Sequence, residues 1–261
     1  MVRRVACLTA VTGLALGLAG CAMSLFGGGN DGRAQWRADA ENACMRQVDS
    51  MPFAVKMSRV DGRGACGINK PLKISAFADG SIALGADATL GCPITMAVDG
   101  WLREAVQPAA IAWFGSPVVA IRQISDYSCR PRNNIHGARL SEHAFGNALD
   151  VAGFVFEDGT EVLVKTGWRG TPAEQGFLRE VEALACQRFT TVLGPGARYH
   201  SDHFHVDLAR HGKSGTYAYC NPKPLVVPPV RPPYVPGQIA TPVDPATLPA
   251  YTGSIAGAGS D

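Results

Sequence analysis

Six histidines occur in this chain of 261 residues, and four of them fall in two short stretches. The first stretch is Ser141-Glu142-His143-Ala144-Phe145-Gly146-Asn147-Ala148-Leu149-Asp150. The second is His200-Ser201-Asp202-His203-Phe204-His205-Val206-Asp207. His136 and His211 lie outside them but close by. Zinc takes neutral imidazoles and carboxylates in a tetrahedron, with bonds of about 2.0–2.2 Å, and a catalytic site leaves one of its four positions to water. His143, Asp150 and one histidine of His203-Phe204-His205 meet that count. On a strand His203 and His205 point to one face, because side chains alternate, and Asp207 falls on that face too. Gly146 lies between His143 and Asp150, where a tight turn would fold both side chains toward one point.

The pattern Ser-x-His-x-x-Gly-x-Ala-x-Asp followed by His-x-His resembles the D-Ala-D-Ala carboxypeptidase and hedgehog group of zinc peptidases. Within that group the chain is most similar to the extensin-like C-terminal domain family of bacterial envelope proteins, over roughly residues 40–220. Tyr127-Ser128-Cys129-Arg130, the 141–150 block and Asp202-His203-Phe204-His205-Val206-Asp207 carry the match. His200-x-x-His203-x-His205 also resembles the penicillin-insensitive murein endopeptidases. The resemblance implies Zn2+ on His143, Asp150 and His205. Many relatives place a glutamate as general base three residues before the last histidine; this chain has Asp202 there, one methylene shorter. The base is therefore Asp202 or His203. Strict alternation puts Asp202 opposite His203 and His205 and favours His203, whereas a turn or bulge at the start of the strand would re-aim Asp202. His200 is either a further metal neighbour or a loop histidine.

The activity implied is hydrolysis of an amide bond, D,D or L,D, in peptidoglycan stem peptides or cross-links. Arg130 is the candidate grip for a substrate carboxylate, since guanidinium forms a bidentate fork with it. Ser141 would hydrogen-bond substrate or stabilise the turn before His143. The alternative is a non-catalytic, zinc-containing, cell-wall-binding lipoprotein, because hedgehog domains share this architecture without needing to catalyse. No Gly-x-Ser-x-Gly elbow is present, which argues against a serine hydrolase.

Charge excludes one class of partner. Without Arg3 and Arg4 the 24 basic residues fall to 22 and balance the 22 acids, so no basic field argues for nucleic acid. Residues 1–20 read as an export signal, with Arg3 and Arg4 before an apolar run too short for a membrane span. Leu18-Ala19-Gly20-Cys21 is similar to a bacterial lipobox, which implies a lipid on Cys21, a tether over 21–34 and a periplasmic, membrane-anchored protein. Ala22 after the cysteine favours the outer membrane. Of eight cysteines, Cys7 leaves with the signal and Cys21 takes lipid. Cys44, Cys66, Cys92, Cys129, Cys186 and Cys220 remain, an even set that predicts three disulfides in an exported chain. Cys186 with Cys220 is the one pairing expected, closing a loop around the second histidine stretch.

These residues need a frame. Hydrophobic residues make up 46% of the chain, enough for a sizeable core. Helical spacing predicts helices over 35–48, 93–114 and 172–189. Strands are predicted over 117–124, 150–156, 161–164 and 203–208, with a strand pair over 70–84 broken at Asp79-Gly80. The order implies an α+β fold, an antiparallel central sheet with helices packed on it, and the resemblance implies the hedgehog/DD-peptidase arrangement. Residues 35–220 form that domain. Ten prolines follow within 221–261, a segment predicted to be extended or disordered, either a solvated spacer or a tail that binds a protein partner.

Overall fold

The computed structural model describes residues 32–225 and 227–236. The expected signal, Cys21, the tether through residue 31 and the tail beyond residue 236 lie outside the described residues. Eleven strands and five helices are described: α1 (Gln35–Cys44), β1 (Ala54–Lys56), β2 (Val60–Asp61), β3 (Gly67–Ile68), β4 (Pro71–Phe77), β5 (Ile82–Gly91), α2 (Cys92–Trp101), α3 (Gln107–Phe114), β6 (Val118–Ser125), β7 (Ala148–Phe156), β8 (Glu161–Leu163), α4 (Val164–Gly167), α5 (Pro172–Arg188), β9 (Thr191–Leu193), β10 (Phe204–Asp207) and β11 (Tyr219–Asn221). The fold is mixed α+β. Among the described residues, no helix is long and apolar enough to cross a membrane.

One nine-stranded sheet runs β1-β4-β5-β6-β7-β10-β9-β11, with β8 added alongside β7. Most neighbours are antiparallel, as expected, but β5 pairs with β6, and β9 with β11, in parallel. The first exception has a clear cause: the long helix of α2 and α3 carries the chain back before β6, and parallel neighbours need such a crossover. That helix widens into a π turn at Leu102–Val106. Pro108 lacks an N–H and would crowd the carbonyl four residues back, and the wider turn accommodates it.

Trp101 is the centre of the core. Its fully buried ring meets Phe154 and Phe189 edge-on, each at 6.0 Å, and its Nε1–H donates to the Val181 carbonyl at 2.9 Å. Helix α5 starts with a capping box in which Thr171 Oγ1 accepts from the Glu174 N–H and Glu174 accepts from the Thr171 N–H. Its apolar stripe of Phe177, Leu178 and Val181 meets the same core.

The two faces of the sheet carry different residues, and a bulge makes that division possible. In β10, Phe204 and Val206 enter the core while His205 and Asp207 point the other way. In β7, Leu149 and Val151 are core residues, so Asp150 lies on the outer face; yet Phe154 and Phe156 are core residues too. Even and odd positions exchange faces because the register shifts opposite Arg122 and Gln123, which pair with Gly153 and Val151.

Three disulfides are formed: Cys44–Cys92, Cys66–Cys129 and the expected Cys186–Cys220. They tie α1 to α2, the loop between β2 and β3 to the segment after β6, and α5 to β11. Asn221 closes β11, and Arg231 makes a two-pronged pair with the buried Glu180 of α5, its second nitrogen at 2.8 Å.

Candidate metal centre

The first histidine stretch folds as a single 3-10 turn, Glu142–Phe145, that feeds β7. Gly146 ends it at φ 60°, in the left-handed region, and a Cβ there would lie 2.2 Å from Ile68 Cδ1. Only glycine fits. The Gly146 carbonyl accepts from the Gly91 N–H at 2.7 Å, which fastens the turn to the start of α2. From the other side, Arg37 of α1 forks onto Glu142 at 2.6 and 2.7 Å, and the Asn147 amide donates to the same carboxylate at 2.6 Å. The turn that carries His143 is thus clamped from two elements distant in sequence.

Pairing of β7 with β10 sets Asp150 directly across from His205. His143, Asp150 and His205 are all buried, and one ligand atom from each lies within 4.8 Å of the others. His143 Nε2 is 3.2 Å from His205 Nδ1 and 3.2 Å from Asp150 Oδ2, and His205 Nδ1 is 2.8 Å from Asp150 Oδ1. Ligands on a tetrahedron with bonds of about 2.1 Å stand roughly 3.4 Å apart, so the trio needs to open only slightly to share one cation.

The outer partners fit the same purpose. His143 Nδ1–H donates to the Asp126 carbonyl at 2.6 Å, which leaves Nε2 as the ring's ligand atom. His205 Nε2–H donates to Asp207 Oδ2 at 2.9 Å, which leaves Nδ1. A metal-ligating histidine characteristically gives its second N–H to a carboxylate or carbonyl in this way. Burial by itself would lower the basicity of His205; hydrogen bonds and charge from Asp150 and Asp207 overturn that and push its pKa up to about 10. Burial would likewise raise Asp150, but hydrogen bonds from His143 and His205 hold it below the usual carboxylate range. A cation entering here takes the place of a proton, as linked binding requires.

His203 approaches the trio with Nε2 at 3.8 Å from Asp150 Oδ1, and its Nδ1–H donates to Asp202 Oδ1 at 2.8 Å. Asp202 itself is half-exposed and meets the centre only through His203. His200 is buried beside them, its ring 5.0 Å from that of His203 and 5.7 Å from that of His205. Its Nδ1–H donates to the Arg198 carbonyl at 2.8 Å, and burial lowers its pKa, so it is a neutral neighbour rather than one of the compact trio. The second nitrogen of Arg130 stands 3.7 Å from Asp150 Oδ2. The Ser141 side chain makes no capping bond to the turn; its N–H donates to the Arg130 carbonyl at 3.1 Å. All of these residues except Asp202 line an open cleft of about 540 Å³, together with Arg132, Arg198, Tyr199 and His211.

Sequence reasoning missed Asp126, which acts through its backbone carbonyl, and the clamp from Arg37. Asp207 was readable from its spacing to His205, although its role was not. Residues 42–221 match the family described as "Extensin-like protein C-terminus", and the chain belongs to that family. No curated protein and no solved structure matches it.

Proposed function

We propose that the protein is a zinc-dependent peptidase that hydrolyses amide bonds in peptidoglycan stem peptides or cross-links, on the hedgehog/DD-peptidase plan. One observation carries this reading above the others: three buried ligand atoms are gathered with their outer partners in place, and an Asp202–His203 pair stands beside them on the cleft side. Zinc held by His143, Asp150 and His205 would supply a Lewis acid and lower the pKa of its water toward about 7.

The remaining work falls to the chain's own side chains. Asp202 holds His203 by its Nδ1–H, so Nε2 presents a lone pair next to Asp150. In that state His203 takes a proton from water and returns it to the leaving amine, with Asp202 orienting it. Arg130 supplies the grip for a substrate carboxylate. The cleft suits an acidic peptide more broadly: Arg132 and Arg198 also line it, and its carboxylates, Glu142, Asp150 and Asp207, are each already hydrogen-bonded within the protein. Three disulfides accord with an oxidising, exported setting. Anchoring to the outer membrane through Cys21 belongs to the same reading.

The test is incubation of the purified protein with zinc and cross-linked peptidoglycan, with the released muropeptides read by mass spectrometry beside a His205→Ala control. Loss of cross-linked dimers with the wild type alone is the expected result and identifies the bond. An unchanged profile with zinc bound stoichiometrically would replace the enzyme by a cell-wall-binding module.

A further inference from the structure

Three of the five non-glycine residues described with positive φ line one cleft: Asn133 at 54°, Asn134 at 57° and Tyr199 at 69°. Asparagine enters the left-handed region readily, but a bulky ring does so at a cost in free energy. Hydrogen bonds on both sides of Tyr199 hold it there. The His200 N–H donates to the Ala197 carbonyl at 3.1 Å and closes a four-residue turn in which Tyr199 is third, a position that glycine or asparagine takes when φ is positive. His200 Nδ1–H donates to the Arg198 carbonyl at 2.8 Å across the same residue. The base of the loop is tied down too. Ala197 N–H donates to the Gly194 carbonyl at 2.8 Å, and Gly194 N–H to the Asn221 carbonyl of β11 at 2.9 Å. A turn held this firmly by its backbone does not need a large side chain at its third position. Yet a tyrosine stands there, its side chain on the cleft and the residue 52% exposed. The Arg198 guanidinium stacks on the ring, 4.8 Å from its centre; Arg198 is itself exposed and has no carboxylate partner among the described residues. Strain kept where it presents an aromatic side chain to a cleft points to function, since burial gains little there.

We propose that Tyr199 is a specificity-determining residue: its ring packs on the backbone amides of an acidic peptide in the cleft, and Arg198, steadied by that ring, pairs with a carboxylate of the peptide. This rests on the reading of the cleft as the substrate site of a peptidase. A peptide suits these walls better than a glycan strand. Arg130, Arg132 and Arg198 offer cations, whereas sugar hydroxyls need acceptors, and the carboxylates of the cleft, Glu142, Asp150 and Asp207, are already hydrogen-bonded. An aromatic ring fixed before the ligand arrives loses little freedom on binding.

The probe is the acidic stem tripeptide of peptidoglycan, fluorescently labelled, titrated with the zinc-loaded full chain and read by anisotropy. Peptide-free glycan strands serve as the comparison. Tyr199→Gly and Tyr199→Asn suit the backbone, so they are expected to melt at or above the wild-type temperature and to hold zinc as before. They are expected to bind the peptide about tenfold more weakly, the size of an aromatic hot-spot loss. Tyr199→Phe is expected to recover most of the affinity. Wild-type peptide affinity in Tyr199→Gly would overturn the proposal. A lowered melting temperature or zinc affinity in both the Gly and Asn variants would overturn it too, because the ring would then be a support for the turn. So would a wild type that takes glycan strands and ignores the tripeptide. Turnover of cross-linked peptidoglycan is measured separately. A chain that cuts nothing, but binds the peptide through Tyr199, loses the peptidase reading and keeps this one; a wild type that binds neither ligand overturns both.

Discussion

Replacing Asp207 by asparagine changes one atom and no volume, yet the geometry forces a large effect. Asp207 Oδ1 accepts from the Ala209 N–H at 2.8 Å, while Oδ2 accepts from His205 Nε2–H at 2.9 Å. An asparagine must keep its carbonyl oxygen toward Ala209, because an amide nitrogen there would face a second donor. Its NH2 group then faces His205 Nε2. That ring nitrogen has to become an acceptor, which moves the ring's proton to Nδ1, the atom that faces His143 Nε2 at 3.2 Å and Asp150 Oδ1 at 2.8 Å. The lone pair needed by a metal is thereby removed. Loss of an outer partner weakens metal binding by roughly 10- to 100-fold, or about 1.4–2.8 kcal/mol. Asp207→Asn belongs at the upper end, since it opposes the required tautomer rather than merely ceasing to support it. Zinc affinity by chelator competition measures this directly, and 15N shifts of the imidazole report the tautomer. An Asp207→Asn protein that binds zinc within twofold of wild type would refute the assignment of Nδ1 as the ligand atom.

Other outcomes follow from the same contacts. His203→Gln is expected to slow muropeptide release by about 10²- to 10⁴-fold, the range for a general acid–base group. Asp202→Asn should slow it less, because Asp202 reaches the centre only through His203; equal losses in kcat would return the base to Asp202. Arg231→Met strands the buried Glu180, leaving it the Trp113 N–H at 2.8 Å, and is expected to destabilise the fold by about 3–5 kcal/mol in urea melts. Glu180→Gln in the same chain should recover part of that loss. Burial raises the Glu182 carboxyl to about 8, against an attractive contribution from Arg179. The folded state then holds a proton that the unfolded state releases near pH 4.5, so stability falls as pH rises from about 4.5 to 8, by at most about 1.4 kcal/mol per pH unit. Glu182→Gln should flatten that slope in melts across the window.

What could be read in the sequence was what depends on residue type at short spacing. His143, Asp150, the glycine between them, and Asp207 on the face shared by His203 and His205 follow from a turn and from strand alternation, whereas the choice of His205 over His203 came only from the family resemblance. The long helix through Trp101 and the capped helix after Thr171 were visible for the same reason. Backbone acceptors carry no such signal, so the Asp126 carbonyl behind His143 stayed hidden. Strands of two or three residues such as β2, β9 and β11 are too short for alternation to register. Composition also carries no sign that a proline-rich segment delivers one arginine to a buried glutamate.

The choice between Asp202 and His203 turned on the same limit. Strand alternation gave the right face, and it placed Asp202 away from the centre. It did not show that the two would join: the Asp202 carboxylate, half-exposed, takes His203 Nδ1–H at 2.8 Å. A glutamate at 202 would be one methylene longer. The shorter aspartate fits a different division of labour, in which the carboxylate orients a histidine and the histidine meets the water. Asp202→Glu makes the distinction measurable. If the histidine is the base, the longer side chain disturbs the Nδ1 contact and slows turnover by about tenfold or more. If the carboxylate itself is the base, Asp202→Glu keeps or raises kcat, and His203→Gln in that background loses little.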